Sequence, residues 1–205
     1  MQTVPTDYEE PAFAKWLFTS AQAGWIWLVV RLYLGYTWLH AGWGKLTGSE
    51  GGTWSWALSI SPESWLRNHG MALKGFAIGM TSPTLTKGPN AADNFGWYRD
   101  FLHWVGSNAS WMSYVVTFGE ILIGLGLIFG ALTAVAAFFG GMMNLSFGFA
   151  GVAGINPLFF ALAVLMILAW RNAGYVGLDR WILPALGTPW HRGRLFARGA
   201  TPAAA

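Results

Sequence analysis

The sequence predicts an all-α fold, an integral membrane four-helix bundle with a long extracytoplasmic loop carrying short interfacial helices between helices 1 and 2. Three observations lead there. Only 10% of the 205 residues are charged while 54% are hydrophobic, against about 25% charged in an ordinary soluble domain. So little charge cannot cover a water-facing surface, which excludes a soluble enzyme. The 27 glycines and 14 tryptophans are the mixture expected of helices in a bilayer. Finally, four stretches are apolar enough to approach the roughly 20 residues that cross about 30 Å of hydrocarbon.

Those spans are predicted at about 24–42, 111–130, 131–149 and 155–170, forming a transmembrane domain over 24–170. The second and third read as one apolar tract too long for a single helix, so a tight hairpin is expected near Gly130 to Thr133. The fourth opens at Asn156-Pro157, a cap residue followed by proline at the first helical position. Arg171, Asn172 and Gly174 mark its end.

Residues 1–23 read as a cytoplasmic tail with an interfacial piece, Phe13 to Phe18. Asp7, Glu9 and Glu10 stand where a signal peptide would be basic. Residues 171–205 carry Arg171, Arg180, Arg192, Arg194 and Arg198 against Asp179. The short connections between spans are uncharged, so the positive-inside rule puts both termini in the cytoplasm and the long loop outside. The outer loop, 43–110, is too long and too aromatic for a plain connector. Pro62 to Met80 and Asn94 to Val105 show helical spacing, with an irregular stretch over Thr81 to Asp93. Trp54, Trp56, Trp65, Trp97, Trp104 and Trp111 suit an aromatic belt, either as an anchor or as a lid over a site.

Ionisable residues inside apolar spans are costly and mark functional candidates. Two occur, Arg31 and Glu120. At about 1.5 Å rise per residue, Arg31 lies about 10 Å above the inner end of its helix and Glu120, counted from Gly130, about 15 Å. An Arg31–Glu120 ion pair is therefore expected. Arg31, Gly35, Trp38, Gly42 and Lys45 form one helical stripe, and Ser113, Thr117, Glu120 and Gly124 another. The same rise sets Thr37, Thr117 and Asn144 at one level as a polar layer. The pair reads either as a clip fixing helix register or as a proton-handling or headgroup-binding site with Glu120 as acid/base.

Other chemistries find little support. No cysteine is present, which removes disulfides, thiol nucleophiles and cysteine-held iron–sulfur clusters. His40 and His103 are expected to face one outer chamber, with His69 and His191 elsewhere, but haem would need two imidazoles facing each other across the bundle. No metal-ligand spacing, phosphate loop or nucleophile elbow occurs, so neither a metal nor haem is expected. The basic tail suits topology and anionic lipid better than nucleic acid. With no broken helices or inverted repeat visible, a small transporter ranks last.

Arg31-Leu-Tyr-Leu-Gly35 with Trp38, Ala41-Gly42 and Lys45-Leu46 resembles the first helix of the DoxX/DoxD family. Gly119-Glu120 followed by Gly124 and Gly130-Ala-Leu-Thr133 resembles its second helix and turn, and Met143-Asn144 its third. The extended outer loop is more similar to the DoxD branch, the large subunit of thiosulfate:quinone oxidoreductase. The resemblance implies a membrane subunit passing electrons from thiosulfate, outside, to a membrane quinone, with a DoxA-like small subunit or other redox partner. A non-catalytic membrane scaffold for such a partner is the alternative. On the quinone reading, Trp38 would pack on the ring and Asn144, His40 or Arg31 would bond its carbonyls, with Thr37 and Thr117 in the adjoining polar layer.

Overall fold

A computed structural model describes residues 10–49, 60–82, 95–152 and 154–188. Asp7, Glu9, Trp54, Trp56, the stretch 83–93, His191, Arg192, Arg194 and Arg198 lie outside the described residues. Within them the chain is all-helical: α1 (Ala12–Thr19), α2 (Gly24–Thr47), α3 (Met71–Thr81), α4 (Gly96–Ser107), α5 (Ala109–Phe129), α6 (Thr133–Phe149), α7 (Asn156–Leu168) and α8 (Asp179–Leu186). Among the described residues, α5 is long and apolar enough to cross a membrane by itself; α6 and α7 are apolar but shorter.

Four helices, α2, α5, α6 and α7, pack together, and small residues set how. The α2–α5 pairing is the tightest. A Cβ on Gly35 would fall 2.8 Å from the Ile128 side chain, one on Gly42 2.9 Å from Ile121 N, and one on Gly124 2.6 Å from Leu39 N. Only glycine lets these backbones approach so closely, as small residues do where helices pack without a water-driven core. α6 meets α7 through Gly141 against Ala163. Trp27, Leu34, Trp38, Ile123, Leu127, Phe159 and Met166 fill the space between the four.

At one end, called here the turn end, α5 stops at Gly130 (φ +63) and α6 starts at Thr133. The segment after α7 and α1 join them there: Asn172 Nδ2 donates to Leu17 O and Ser20 O, at 3.0 and 2.7 Å, and Trp27 Nε1 to Leu17 O at 2.9 Å. At the other end α3 and α4 pack on each other and on α5, forming a roof. Gly48 (φ +81) ends α2 beneath it, and Trp65 N donates to Lys45 O at 3.0 Å. Two boundaries differ from expectation. Residues 62–70 are turns and a bend instead of the start of a helix, and α2 runs five residues past the predicted end of span one, carrying Lys45 within the helix. The tail holds α8, which no sequence signal marked.

Candidate functional site

Near the roof end, α2 and α5 bring a cation and an acid together in the interior. Lys45 Nζ lies 2.8 Å from Glu120 Oε2, with the two side chains 11% and 2% exposed. The pairing follows from the register, since Gly42, three residues before Lys45, packs directly on Glu120 Cβ and Ile121. Lys45 Nζ also stands over the Trp65 ring at 5.1 Å from its centroid, an arrangement that attracts an ammonium to the π face. Glu120 shares its stripe with Ser113 and Thr117, all fully or nearly fully buried. On α6, Gly140 abuts Ile123, so Asn144, about 6 Å further toward the roof, is level with Glu120. Thr117 Oγ1 and Asn144 Nδ2 are both buried without a hydrogen-bond partner among the described residues.

On the adjoining face of α5 a cavity of about 740 Å³ runs between α5 and α6 from the turn to the roof. Val116, Gly119, Ile123, Ala136, Met143 and Phe147 line its length and Trp65, Leu73, Phe76 and Tyr98 its roof. Leu122, Val135, Phe139 and Met142 on its rim are exposed, so it opens sideways between the helices. Its polar groups cluster at the roof. The Tyr98 hydroxyl donates to Ser146 O at 2.5 Å and lies 2.8 Å from Ser146 Oγ. Burial pushes the Tyr98 phenol above its ordinary pKa, with the Ser146 hydrogen bond pulling the other way. Trp65 borders both regions, with its ring under Lys45 and in the cavity wall.

Arg31 goes elsewhere. The expected Arg31–Glu120 pair does not form. The Arg31 guanidinium sits at the turn end, donating to Leu127 O at 3.3 Å and to Val176 O, close to the Asp179 carboxylate. A Cβ on Gly177 would fall 2.7 Å from Arg31 Nη1 and one on Gly130 would strike the guanidinium. Depth was misjudged because α2 starts beyond the turn. Gly24 packs on Asn172 O and Val176, so Arg31 is level with Gly130, about 15 Å from Glu120 along α5. Asp179 completes this node. Its two oxygens accept the N–H groups of Leu132 and Thr133, at 2.6 and 2.8 Å, while its own N–H donates to Gly130 O at 2.7 Å. A carboxylate at the first turn of α6 satisfies orphan donors and suits the helix dipole. It also holds Leu132 at φ +48, a left-handed conformation that strains a non-glycine residue.

The remaining sequence candidates separate. Trp38 is buried, its indole against Gly140 between α5 and α6, behind the cavity wall. Thr37 bonds back to Tyr33 O at 2.9 Å and is half-buried, so the expected Thr37–Thr117–Asn144 layer loses its first member. His40 is on the exposed face of α2, 6.0 Å from the Tyr36 ring, and His103 is exposed on α4. None of Trp38, His40, Thr37, Thr117 and Asn144 lines the cavity. Among the described residues no cluster of three or more metal-binding side chains occurs. Sequence reasoning missed two residues. Lys45 falls on the Arg31–Gly35–Trp38–Gly42 stripe but beyond the predicted end of the first span, and Asp179 falls in the basic tail, where no signal marks it as buried.

Comparison with known proteins adds one finding. No curated protein and no solved structure matches the chain. A family model, DoxX, matches residues 26–153, which run from the first turn of α2 past the end of α6 and include Arg31, Lys45 and Glu120. With well over half of its length and its buried charged helix pair inside that match, the chain belongs to the DoxX family.

Proposed function

We propose that the chain is the membrane subunit of a quinone-linked oxidoreductase, passing electrons from thiosulfate or another extracytoplasmic sulfur donor to a membrane quinone. In this reading α2, α5, α6 and α7 form a four-helix bundle in the prokaryotic cell membrane. Both termini are cytoplasmic, and α3 and α4 lie at the extracytoplasmic surface. The observation that carries it is the sideways-opening apolar cavity backed by a buried lysine–glutamate pair. An apolar cleft with few convergent polar groups is the ordinary form of a small-molecule site. This one opens where a lipid-dissolved ligand would meet it.

The residues present suit a quinone. The α5–α6 walls offer apolar contact for its tail, and the Tyr98 and Ser146 hydroxyls are the polar groups within reach of a carbonyl. Reduction of a quinone to its quinol takes up two electrons and two protons. Electrons come from a DoxA-like small subunit or another redox partner, since a chain without cysteine cannot hold a cysteine-ligated cluster. Glu120 is the group that handles the protons, and Lys45 balances its charge, the role first expected of Arg31. A non-catalytic scaffold for the redox partner is the second reading. It draws on the exposed aromatic row Trp97, Phe101, Trp104 and Trp111, whose last three rings lie 6.1 and 5.8 Å apart.

The test is Glu120→Gln in membranes containing the chain and its redox partner. Donor-dependent quinone reduction is expected to fall by about 100-fold, the lower range for removing a proton-transfer group. An unchanged rate overturns the acid/base role and makes the buried pair a clip that fixes helix register. Quinone retained stoichiometrically by the purified wild type supports the cavity assignment.

A further inference from the structure

The structure places one side chain between the cavity and the ion pair. Trp65 belongs to a turn, not a helix, yet it is fixed from several sides. Its backbone N–H donates to Lys45 O at 3.0 Å, and Gly70 N donates to Trp65 O at 3.0 Å. Its ring packs with Leu73, Val105 and Ala109 under the roof. One face of the indole receives the Lys45 ammonium, and the ring also forms part of the cavity wall. An ammonium shared between a carboxylate at 2.8 Å and a π face at 5.1 Å is held by two attractions. Both strengthen out of water. A ligand that fills the cavity touches the same ring.

We propose that Trp65 is a positioning residue that ties occupancy of the cavity to the Lys45–Glu120 pair. Its π face steers the ammonium toward Glu120, and a planar ligand stacked in the cavity shifts the indole and with it the ammonium. This rests on the quinone reading, because it takes the cavity's ligand to be a flat, apolar ring.

The experiment uses the full-length protein in lipid nanodiscs with ¹⁵N-labelled lysine. The chain has four lysines, and the Lys45 Nζ signal is identified by its loss in Lys45→Arg. In the wild type that signal is expected upfield, displaced by the indole ring current, and to move again on adding decylubiquinone. Trp65→Phe should keep a smaller response. Trp65→Leu, at decylubiquinone concentrations that equilibrium dialysis shows to saturate it, should lose both displacements. An unchanged quinone-induced movement in Trp65→Leu overturns the proposal. If that variant does not fold, an undiminished movement in Trp65→Phe does the same. Decylubiquinone that binds the wild type without moving the Lys45 signal overturns the coupling alone. Failure of the wild type to bind decylubiquinone overturns the quinone reading and the coupling together.

Discussion

The two buried charge clusters stand about 21 Å apart along α2, from Arg31 to Lys45, and they are wired differently. At the turn end the side chains bond to main chain. Arg31 donates to the carbonyls of Leu127 and Val176, and Asp179 accepts from the N–H groups of Leu132 and Thr133. Each bond ties one segment to another. At the roof end the pairing runs side chain to side chain and onto an aromatic face. Thr117 Oγ1 and Asn144 Nδ2 stand buried nearby without hydrogen-bond partners among the described residues. A charge spent on backbone fixes geometry and has little left to offer a ligand. A charge held by another side chain can change partners during a reaction. Of the two residues that stood out inside the apolar spans, Arg31 is therefore a fastener, while Glu120 is the one to which the proposed function gives proton handling.

Substitutions that separate stability from turnover sharpen this contrast. The largest stability effect is expected for Asp179→Ala, which removes both N–H acceptors of α6 and leaves the Arg31 guanidinium without its acid. Breaking a buried charged node by removing one partner costs about 3 kcal/mol or more, so thermal unfolding in detergent should shift down by several degrees. Quinone reduction per folded molecule should stay close to wild type. A stable Asp179→Ala protein with lost turnover would reverse the assignment of the two ends. Gly177→Ala comes next. Its new methyl meets Arg31 Nη1 and, at 2.8 Å, Phe129 O, and overpacking of this kind costs about 1–3 kcal/mol. The same measurement checks it, and no loss of stability would mean the turn end is looser than its contacts indicate. The smallest effect belongs to His40→Ala. Its imidazole is on the exposed face of α2, so stability should change by less than about 0.5 kcal/mol. Quinone reduction should be unaffected, and a large drop in rate would return His40 to the site.

Much of this arrangement was legible in the sequence, and the misses share a cause. Composition and apolar runs pointed to the helices that pack together, the hairpin near Gly130, the Asn156-Pro157 start and two short helices between α2 and α5. The cost of burying charge singled out Arg31 and Glu120, and helical spacing laid out the stripe on which Lys45 sits. Choosing partners required relative depth. The depth count takes Gly24 and Gly130 as level and ends the first span at Gly42. Gly24 lies beyond the hairpin turn, and Thr47 lies five residues past the predicted end of the span. A shift of that size moves Arg31 away from Glu120 and brings Lys45 to it. The cavity left no mark in the sequence at all. It lies between α5 and α6, and apolar residues read the same whether they face a neighbour or a gap.

The Asp179 contact has a consequence for how the molecule is made. The carboxylate that completes the start of α6 lies 46 residues further along the chain than Thr133, whose N–H it accepts. During synthesis the hairpin therefore leaves the ribosome with two amide donors unmatched and a guanidinium that has Leu127 O but not yet Val176 O or Asp179. Biogenesis of this end is timed by the arrival of α8. Until then, the insertion machinery or a hydrated membrane surface has to shelter those polar groups.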